Sequence, residues 1–149
     1  MTIVSATSLT PGTAEGTLAL LTAPLSLWGG FDVEAGLISD VTHPQHGRSL
    51  TAHILAMSAA RGSSSSSSAL VEAIRRGTAP AAILLCRVDP ILVIGSLVAA
   101  DLYGIEVPIL LVSETDWPKL TDGAAVSLRA DVATAEVRLV ETDGTRTPL

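Results

Sequence analysis

The stretch that decides the fold runs from residue 52 to residue 86 and reads AHILAMSAARGSSSSSSALVEAIRRGTAPAAILLC. Two short apolar runs, residues 52–57 and 81–86, enclose an amphipathic segment, residues 68–76, that stops at Gly77. Apolar runs of this length are typical of strands buried on both faces of a parallel sheet, and glycine commonly follows the last residue of a helix. The pattern therefore predicts a strand–helix–strand unit.

The same pattern continues further along the chain. Asp89 and Pro90 fit the N-cap and the first turn of a second helix, predicted over residues 90–103 and ended by Gly104. A third apolar run, residues 108–112, predicts another buried strand. The fold class that follows is α/β, with parallel βαβ units and additional antiparallel strands.

The flanking regions predict strands separated by turns. No internal repeat or linker-like segment divides the chain, so residues 1–149 are expected to form a single domain. The predicted segments are a strand over 16–27 interrupted at Pro24, a loop over 28–32, a short strand over 37–40, a loop over 43–48 and a hairpin formed by 125–129 and 135–140.

Composition and charge exclude several classes of function. Fifteen acidic residues against nine basic ones give a net charge of -6, and the basic residues are scattered, so we expect no nucleic acid or anionic membrane as partner. The apolar run 91–100 is too short to span a bilayer, and the first five residues carry no positive charge. We therefore expect a cytoplasmic protein.

Metal and nucleotide chemistry find little support within the chain itself. The single cysteine, Cys86, cannot hold a zinc ion or an iron–sulfur cluster alone, and we expect it to be a small buried apolar residue. Pro44 separates His43 from His46 and excludes a regular helix across them, which favours two loop histidines over a metal site. Gly95 lacks the other glycines of a dinucleotide motif, so close packing of its helix on the sheet is predicted.

A run of six serines, residues 63–68, lies between the first predicted strand and its helix. Composition alone favours a flexible linker, but a linker at this point would divide the core. We interpret Arg61, Gly62 and Ser63 instead as a turn at a helix N-terminus, where free backbone N–H groups and the helix dipole favour an anion. Arg61 would grip the anion, Gly62 would allow close approach, and one serine hydroxyl would cap the helix.

The chain contains the segments LWGGFD (27–32), HPQHG (43–47), RGS (61–63), TAPAAI (78–83) and a stretch from DPIL (89–92) to LYG (102–104). Taken together, these segments resemble the small subunit of aconitase X. The resemblance implies the swivelling β/β/α domain fold of aconitases, a large-subunit partner that carries the iron–sulfur cluster, and no metal on this chain. The lone cysteine agrees with that division.

The resemblance further implies a dehydratase that acts on a small anionic substrate. Ser63 follows the Arg-Gly pair and would accept the proton, with Ser64 as the second candidate, while the cluster would polarise the departing hydroxyl as a Lewis acid. Arg61 would hold the substrate anion or the serine alkoxide. The serine run is similar to bacterial members, which favours dehydration of cis-3-hydroxy-L-proline to 1-pyrroline-2-carboxylate over conversion of mevalonate 5-phosphate to anhydromevalonate phosphate.

Three further residues are candidates for the site. Trp28 is expected to be a wall of the active site, a contact with the large subunit, or a core residue against Phe31. Asp32 either orients substrate or closes a turn, and His46 is a candidate to line the cleft. Two other classes of function stay open at this point: a stand-alone anion-binding domain and a non-catalytic domain that gates a large subunit.

Overall fold

The computed structural model describes residues 1–132 and 134–140. This part of the chain contains nine strands, two α-helices and a short 3-10 turn at Trp117–Lys119. In chain order they are β1 (Thr2–Thr10), β2 (Gly12–Leu20), β3 (Phe31–Asp32), β4 (Leu37–Ile38), β5 (Ile54–Ala56), α1 (Ser66–Arg76), β6 (Ala82–Leu85), α2 (Pro90–Tyr103), β7 (Ile109–Val112), β8 (Ala125–Ala130) and β9 (Ala135–Val140).

Seven of the strands close into a barrel in the order β1-β7-β6-β5-β2-β8-β9. The neighbours β2, β5, β6 and β7 pair in parallel, whereas β1 and β8 pair antiparallel to the strands on either side. Helix α1 connects β5 to β6 and helix α2 connects β6 to β7. The predicted α/β class is therefore confirmed, and the prediction of parallel βαβ units is confirmed in part: two such units are present, but they belong to a mixed sheet that closes on itself, which the sequence pattern does not indicate.

Strands β5, β6 and β7 are apolar throughout because both of their faces are covered. Ile54 and Leu84 point into the barrel, where they meet residues of the antiparallel strands such as Leu128. Leu55 and Ile83 point outward and pack against the two helices. This double burial is the physical reason why residues 52–57 and 81–86 lack the polar–apolar alternation of a half-exposed strand.

The two helices cover the outer face of the parallel strands. Helix α1 begins at Ser66, two residues before the predicted start, and ends at Gly77, whose φ of 77° permits a left-handed cap. Asp89 caps α2 as predicted, because its carboxylate accepts hydrogen bonds from the N–H groups of Ile91 and Leu92 at 2.9 and 3.1 Å. Neither helix in the described ranges is long and apolar enough to cross a membrane.

Gly95 is predicted to allow close packing of α2 on the sheet. In the structure it lies instead where α2 packs against α1. A Cβ atom at this position would lie 2.9 Å from the carbonyl oxygen of Ser67 and 3.3 Å from the side chain of Leu70, both on α1. Glycine is thus required because the backbones of α1 and α2 approach closely here.

The N-terminal strands differ from the prediction. Strand β1 is not predicted at all, because its Thr- and Ser-rich sequence lacks a continuous apolar face and Val4 is one of only two fully buried positions in it. The strand predicted over 16–27 begins earlier and ends at Leu20. At the end of this strand the side chain of Gln45 bonds the backbone. It accepts a hydrogen bond from the N–H of Thr22 and donates one to the carbonyl of Leu20, both at 2.9 Å.

The remaining predicted segments are largely found. Strand β4 is shorter than the segment 37–40 and pairs with β3, which lies in the predicted loop 28–32. His53 precedes β5 and does not belong to it. The predicted terminal hairpin is present as β8 and β9.

Candidate active site

The predicted anion-binding turn lies at the carboxyl edge of the parallel strands. Strand β5 ends at Ala56, and the chain then crosses this edge to reach α1 at Ser66. Arg61, Gly62 and Ser63 lie within this crossing and are exposed. Loops that follow parallel strands at their carboxyl ends are a common place for ligand sites, because helix N-termini converge there.

Gly62 is held against a neighbouring loop. Its φ is +108°, and a Cβ atom built on it would lie 2.1 Å from Oγ of Ser26. Ser26 in turn donates a hydrogen bond to the carbonyl of Trp28 at 2.9 Å. The turn and the loop that carries Trp28 are therefore in direct contact, and only glycine fits at their junction.

Ser63 is positioned by the start of α1. Its Oγ accepts a hydrogen bond from the N–H of Ser65 at 3.1 Å, and its carbonyl accepts from the N–H of Ser66 at 3.0 Å. An N–H group and the positive end of a helix both favour negative charge on the oxygen that they face. A proton leaving the Ser63 hydroxyl would therefore leave behind a stabilised oxygen.

The other serines of the run have structural contacts. Ser67 Oγ donates to the carbonyl of Ser64 at 2.9 Å, which fixes the first turn of α1. Ser65 occupies the N-cap position without a side-chain cap bond, so the predicted capping of α1 by a serine hydroxyl is not found; Ser63 Oγ accepts instead from the N–H of Ser65, which precedes the helix. Ser66 is buried, and its hydroxyl has no hydrogen-bond partner among residues 1–132 and 134–140.

Arg61 forms the charged part of the turn. Its backbone N–H donates to the carbonyl of Leu25 at 3.4 Å, and its Nη2 lies 3.3 Å from Oδ2 of Asp40. The Arg61 side chain is 60% exposed, and among the described residues its guanidinium bonds only Asp40, through Nη2. Hydrogen bonds from Thr42, together with the nearby Arg61 charge, hold the pKa of Asp40 below its usual range, so that Asp40 is ionised beside the guanidinium.

The other predicted site residues lie at different distances from this turn. Trp28 is 58% exposed, whereas Phe31 is buried, so Trp28 is not a core residue. Asp32 closes a turn, because its Oδ1 accepts from the N–H groups of Glu34 and Ala35 at 2.9 and 3.1 Å. His46 is exposed on the loop 43–48, and among the described contacts neither it nor Asp32 touches Ser63. Their roles toward substrate stay predictions.

His43 is a structural residue that the sequence does not single out from His46. It is buried, its Nδ1 accepts from the N–H of Gln45 and its Nε2 lies 3.0 Å from the carbonyl of Ala23. These partners require the proton on Nε2 and anchor the loop 43–48 to the segment after β2. The ring thus has both nitrogens engaged by the backbone and is not arranged to bind a metal.

Ser26 and Asp40 also shape the turn and are missed by the sequence reasoning. The available signal was the spacing of Asp40 and Thr42, since an aspartate two residues before a threonine is typical of a side-chain-closed turn. Their contact with Arg61 and Gly62 is not visible in the sequence because it joins segments more than 20 residues apart.

An iron–sulfur cluster does not fit the residues of this chain that the structure describes. They contain no group of three or more His, Cys, Asp or Glu side chains close enough together to hold a metal ion. Cys86 is half-buried, and burial, reinforced by the charge of Glu114, raises the pKa of its thiol, which disfavours the thiolate that metals require. The turn therefore presents a serine hydroxyl and an exposed guanidinium, and no group of metal ligands is found with them in residues 1–132 and 134–140.

The fold and the turn together define an α/β-barrel domain that presents a serine hydroxyl and an arginine at one open edge. A family model described as the aconitase X swivel domain matches residues 3–137. The chain belongs to this family.

Known relatives extend the comparison. The chain is 41% identical over 123 residues to the cis-3-hydroxy-L-proline dehydratase of Pseudomonas aeruginosa, covering 78% of this chain and 21% of that protein. It is 33% identical over 129 residues to the phosphomevalonate dehydratase small subunit of Pyrococcus furiosus, covering 87% and 89%. The chain thus spans about a fifth of the length of the hydroxyproline dehydratases it matches.

A solved structure supports the fold. The crystal structure of Thermococcus kodakaraensis aconitase X in its holo-form superposes with a TM-score of 0.82 at 27% identity, covering 95% of this chain and all of that one. The mixed barrel with two helices is therefore the aconitase X fold.

Proposed function

We propose that this chain is the small subunit of a two-subunit hydro-lyase that dehydrates cis-3-hydroxy-L-proline to 1-pyrroline-2-carboxylate. Ser63, having given its own proton to solvent, takes the proton from C2 as the alkoxide; the C2–H electron pair forms the C2=C3 double bond, the C3–O bond breaks, and the departing hydroxide takes a proton from solvent to leave as water. The resulting enamine becomes the cyclic imine by moving a proton. The 41% identity to a protein named for this substrate supports the choice.

The observation that carries the proposal is the hydrogen bond from the N–H of Ser65 to Ser63 Oγ at 3.1 Å. A serine hydroxyl is a weak base, and it removes a proton from carbon only when its oxygen can hold negative charge before the transfer. The N–H of Ser65, the N-terminus of α1 and the nearby guanidinium of Arg61 supply that stabilisation. Ser64 is the weaker candidate because its carbonyl, and not its hydroxyl, has the contacts with α1.

The substrate carboxylate is assigned to Arg61. Its guanidinium is exposed at the same turn as Ser63 and has N–H groups that its pair with Asp40 leaves available. Anchoring the carboxylate at residue 61 brings the adjacent carbon toward the hydroxyl at residue 63. The two residues thus combine orientation with proton transfer.

The large aconitase X subunit is the partner that we propose for this edge, and we assign the iron–sulfur cluster to it. The turn is exposed, and no metal site is formed by residues 1–132 and 134–140, so the chain supplies half of an active site. Trp28, exposed beside the turn, suits a wall of the cleft or a contact with that subunit. In this arrangement residues 1–149 act as one swivelling domain.

A second candidate is the small subunit of a phosphomevalonate dehydratase, converting mevalonate 5-phosphate to anhydromevalonate phosphate. One observation favours it: the alignment with the Pyrococcus furiosus small subunit covers nearly the whole of both chains. Ser63 and Arg61 would keep the same roles. A non-catalytic anion-binding or gating domain is the remaining alternative.

The test is the dehydratase activity of the complex formed with a co-expressed large subunit, assayed on both substrates. Ser63→Ala is expected to leave assembly intact and to lower kcat by about 10²- to 10⁴-fold, the usual contribution of a general base. Ser64→Ala is the matched control and is expected to lose little activity. Full turnover by the Ser63→Ala complex would support the gating alternative, and turnover by the isolated chain would contradict the two-subunit proposal.

A further inference from the structure

We infer that Asp40 is a positioning residue for this site: its carboxylate holds the guanidinium of Arg61 in the orientation that receives the substrate anion. The inference rests on the proposed function, because it assigns a residue that acts through the substrate-binding arginine. It adds a residue from the loop after β4 to a site otherwise built by the turn before α1.

Hydrogen bonds from Thr42 orient the carboxylate of Asp40 independently of its contact with Arg61. Its Oδ1 accepts two hydrogen bonds from Thr42, one from the backbone N–H at 2.9 Å and one from Oγ1 at 2.7 Å. Oδ2 then faces Nη2 of Arg61 at 3.3 Å. One oxygen of Asp40 is thus used for orientation, and the other is directed at the arginine.

Hydrogen bonds also hold the backbone around Asp40 in place. The N–H groups of Ser39 and Asp40 both donate to the carbonyl of Gly30, at 3.0 and 3.3 Å, and the Asp40 carbonyl accepts from the N–H of the buried His43 at 3.1 Å. Asp40 is only 20% exposed. It is therefore a rigid point beside a turn that otherwise lies open to solvent.

The guanidinium of Arg61 needs a fixed partner because the Arg61 side chain is long and exposed. Ordering a flexible side chain on binding costs roughly 0.5–1.5 kcal/mol, which corresponds to roughly a two- to tenfold change in affinity. The pair with Asp40 engages Nη2 of the guanidinium through a single contact, which leaves other N–H groups of Arg61 for a carboxylate. Asp40 therefore lowers the cost of binding without contacting the substrate.

The test is a double-mutant cycle in the complex with the large subunit, using the substrate that the wild-type complex turns over. Asp40→Asn keeps the size of the side chain but removes its charge, so KM is expected to rise about two- to tenfold with kcat little changed. Arg61→Gln is expected to raise KM further and also to lower kcat, because its guanidinium stabilises the Ser63 oxygen as well as the substrate carboxylate. Adding Asp40→Asn to Arg61→Gln should then leave KM within twofold, because Asp40 has no arginine to position.

Glu72→Gln is the matched control, since Glu72 also pairs with arginine but near the far end of α1, and its KM should be unchanged. If Asp40→Asn fails to assemble, Thr42→Val takes its place in the cycle: it removes one of the bonds that orient Asp40 and should raise KM in the same direction by a smaller factor.

Three results would overturn the inference while the proposed function stands: an unchanged KM, a fall in kcat alone, or an equal rise in KM with and without Arg61. A wild-type complex that turns over neither substrate would instead refute the proposed function, and the inference with it.

Discussion

Gly62 shows how one residue sets the shape of the candidate site. Its φ of +108° is unfavourable for any residue with a Cβ, and that Cβ would overlap Ser26. Gly62→Ala is therefore expected to lower the free energy of unfolding by about 2–4 kcal/mol, combining backbone strain with overpacking, and to reduce dehydratase activity by displacing Ser63. Denaturant unfolding and steady-state assays measure the two effects.

Gly77 provides the control for this substitution, because it also has a positive φ but open space around its Cβ position. Gly77→Ala should cost about 1–2 kcal/mol and leave activity unchanged. Replacing Ser26 by Gly in the Gly62→Ala background should restore part of the lost stability. Equal losses in the two alanine variants would show that the contact with Ser26 is unimportant.

The sequence predicts the turn that contains Arg61 and Ser63. It does not predict the residues that contact this turn, Ser26 and Asp40. Arg61 and Ser63 follow from the position of the serine run between a strand and a helix, which is a local property. Ser26 and Asp40 contact the turn from segments distant in sequence, and neither belongs to a pattern that marks a ligand site. Their contribution depends on tertiary proximity.

At the scale of elements, helix α1 is strengthened by charge on its exposed face. Glu72 pairs with Arg75 at 2.6 Å and with Arg76 at 2.8 Å, and these hydrogen bonds lower its pKa from 4.5 to about 2. Because the folded state binds this proton less tightly than the unfolded chain, the pairs stabilise the protein above about pH 4.5. That stabilisation is lost as the pH falls toward 2.

The corresponding prediction compares the wild-type chain with Glu72→Gln in thermal unfolding between pH 3 and pH 7. The wild type is expected to melt slightly higher at pH 7, and the difference should shrink as the pH falls below about 4.5 and when salt is added. A difference that is constant across this pH range would show that the ion pairs do not stabilise α1.

At the scale of the whole molecule, the closed barrel provides an interior core in addition to the layer beneath the helices. Leu84 has no solvent exposure and points into this interior. Leu84→Ala is expected to lower the free energy of unfolding by about 2–5 kcal/mol, because it removes buried apolar contacts and leaves a cavity. The midpoint of denaturant unfolding measures the loss.

Leu97 is the control for Leu84, because it is also a leucine but lies on the outer face of α2 and is 48% exposed. Leu97→Ala should change stability by no more than about 0.5 kcal/mol, because alanine favours the helix and little burial is lost. Similar losses for the two leucines would contradict the assignment of Leu84 to a closed interior.

The sequence by itself determined the parts of the protein that depend on neighbouring residues. Apolar runs and helix stop signals predicted β5, α1, β6, α2 and β7, and the position of the serine run predicted the turn at residues 61–63. Each of these features follows from periodicity or from a cap, which act within a few residues.

Only the tertiary structure decided how these parts assemble. Strand β1 closes the barrel although its own sequence is polar, because pairing with β7 and β9 satisfies its backbone. Asp40 reaches Arg61 only because the segment after β4 and the segment after β5 lie side by side in the folded chain. Barrel closure and the supports of the site depend on contacts between distant segments, and no local pattern of residues encodes them.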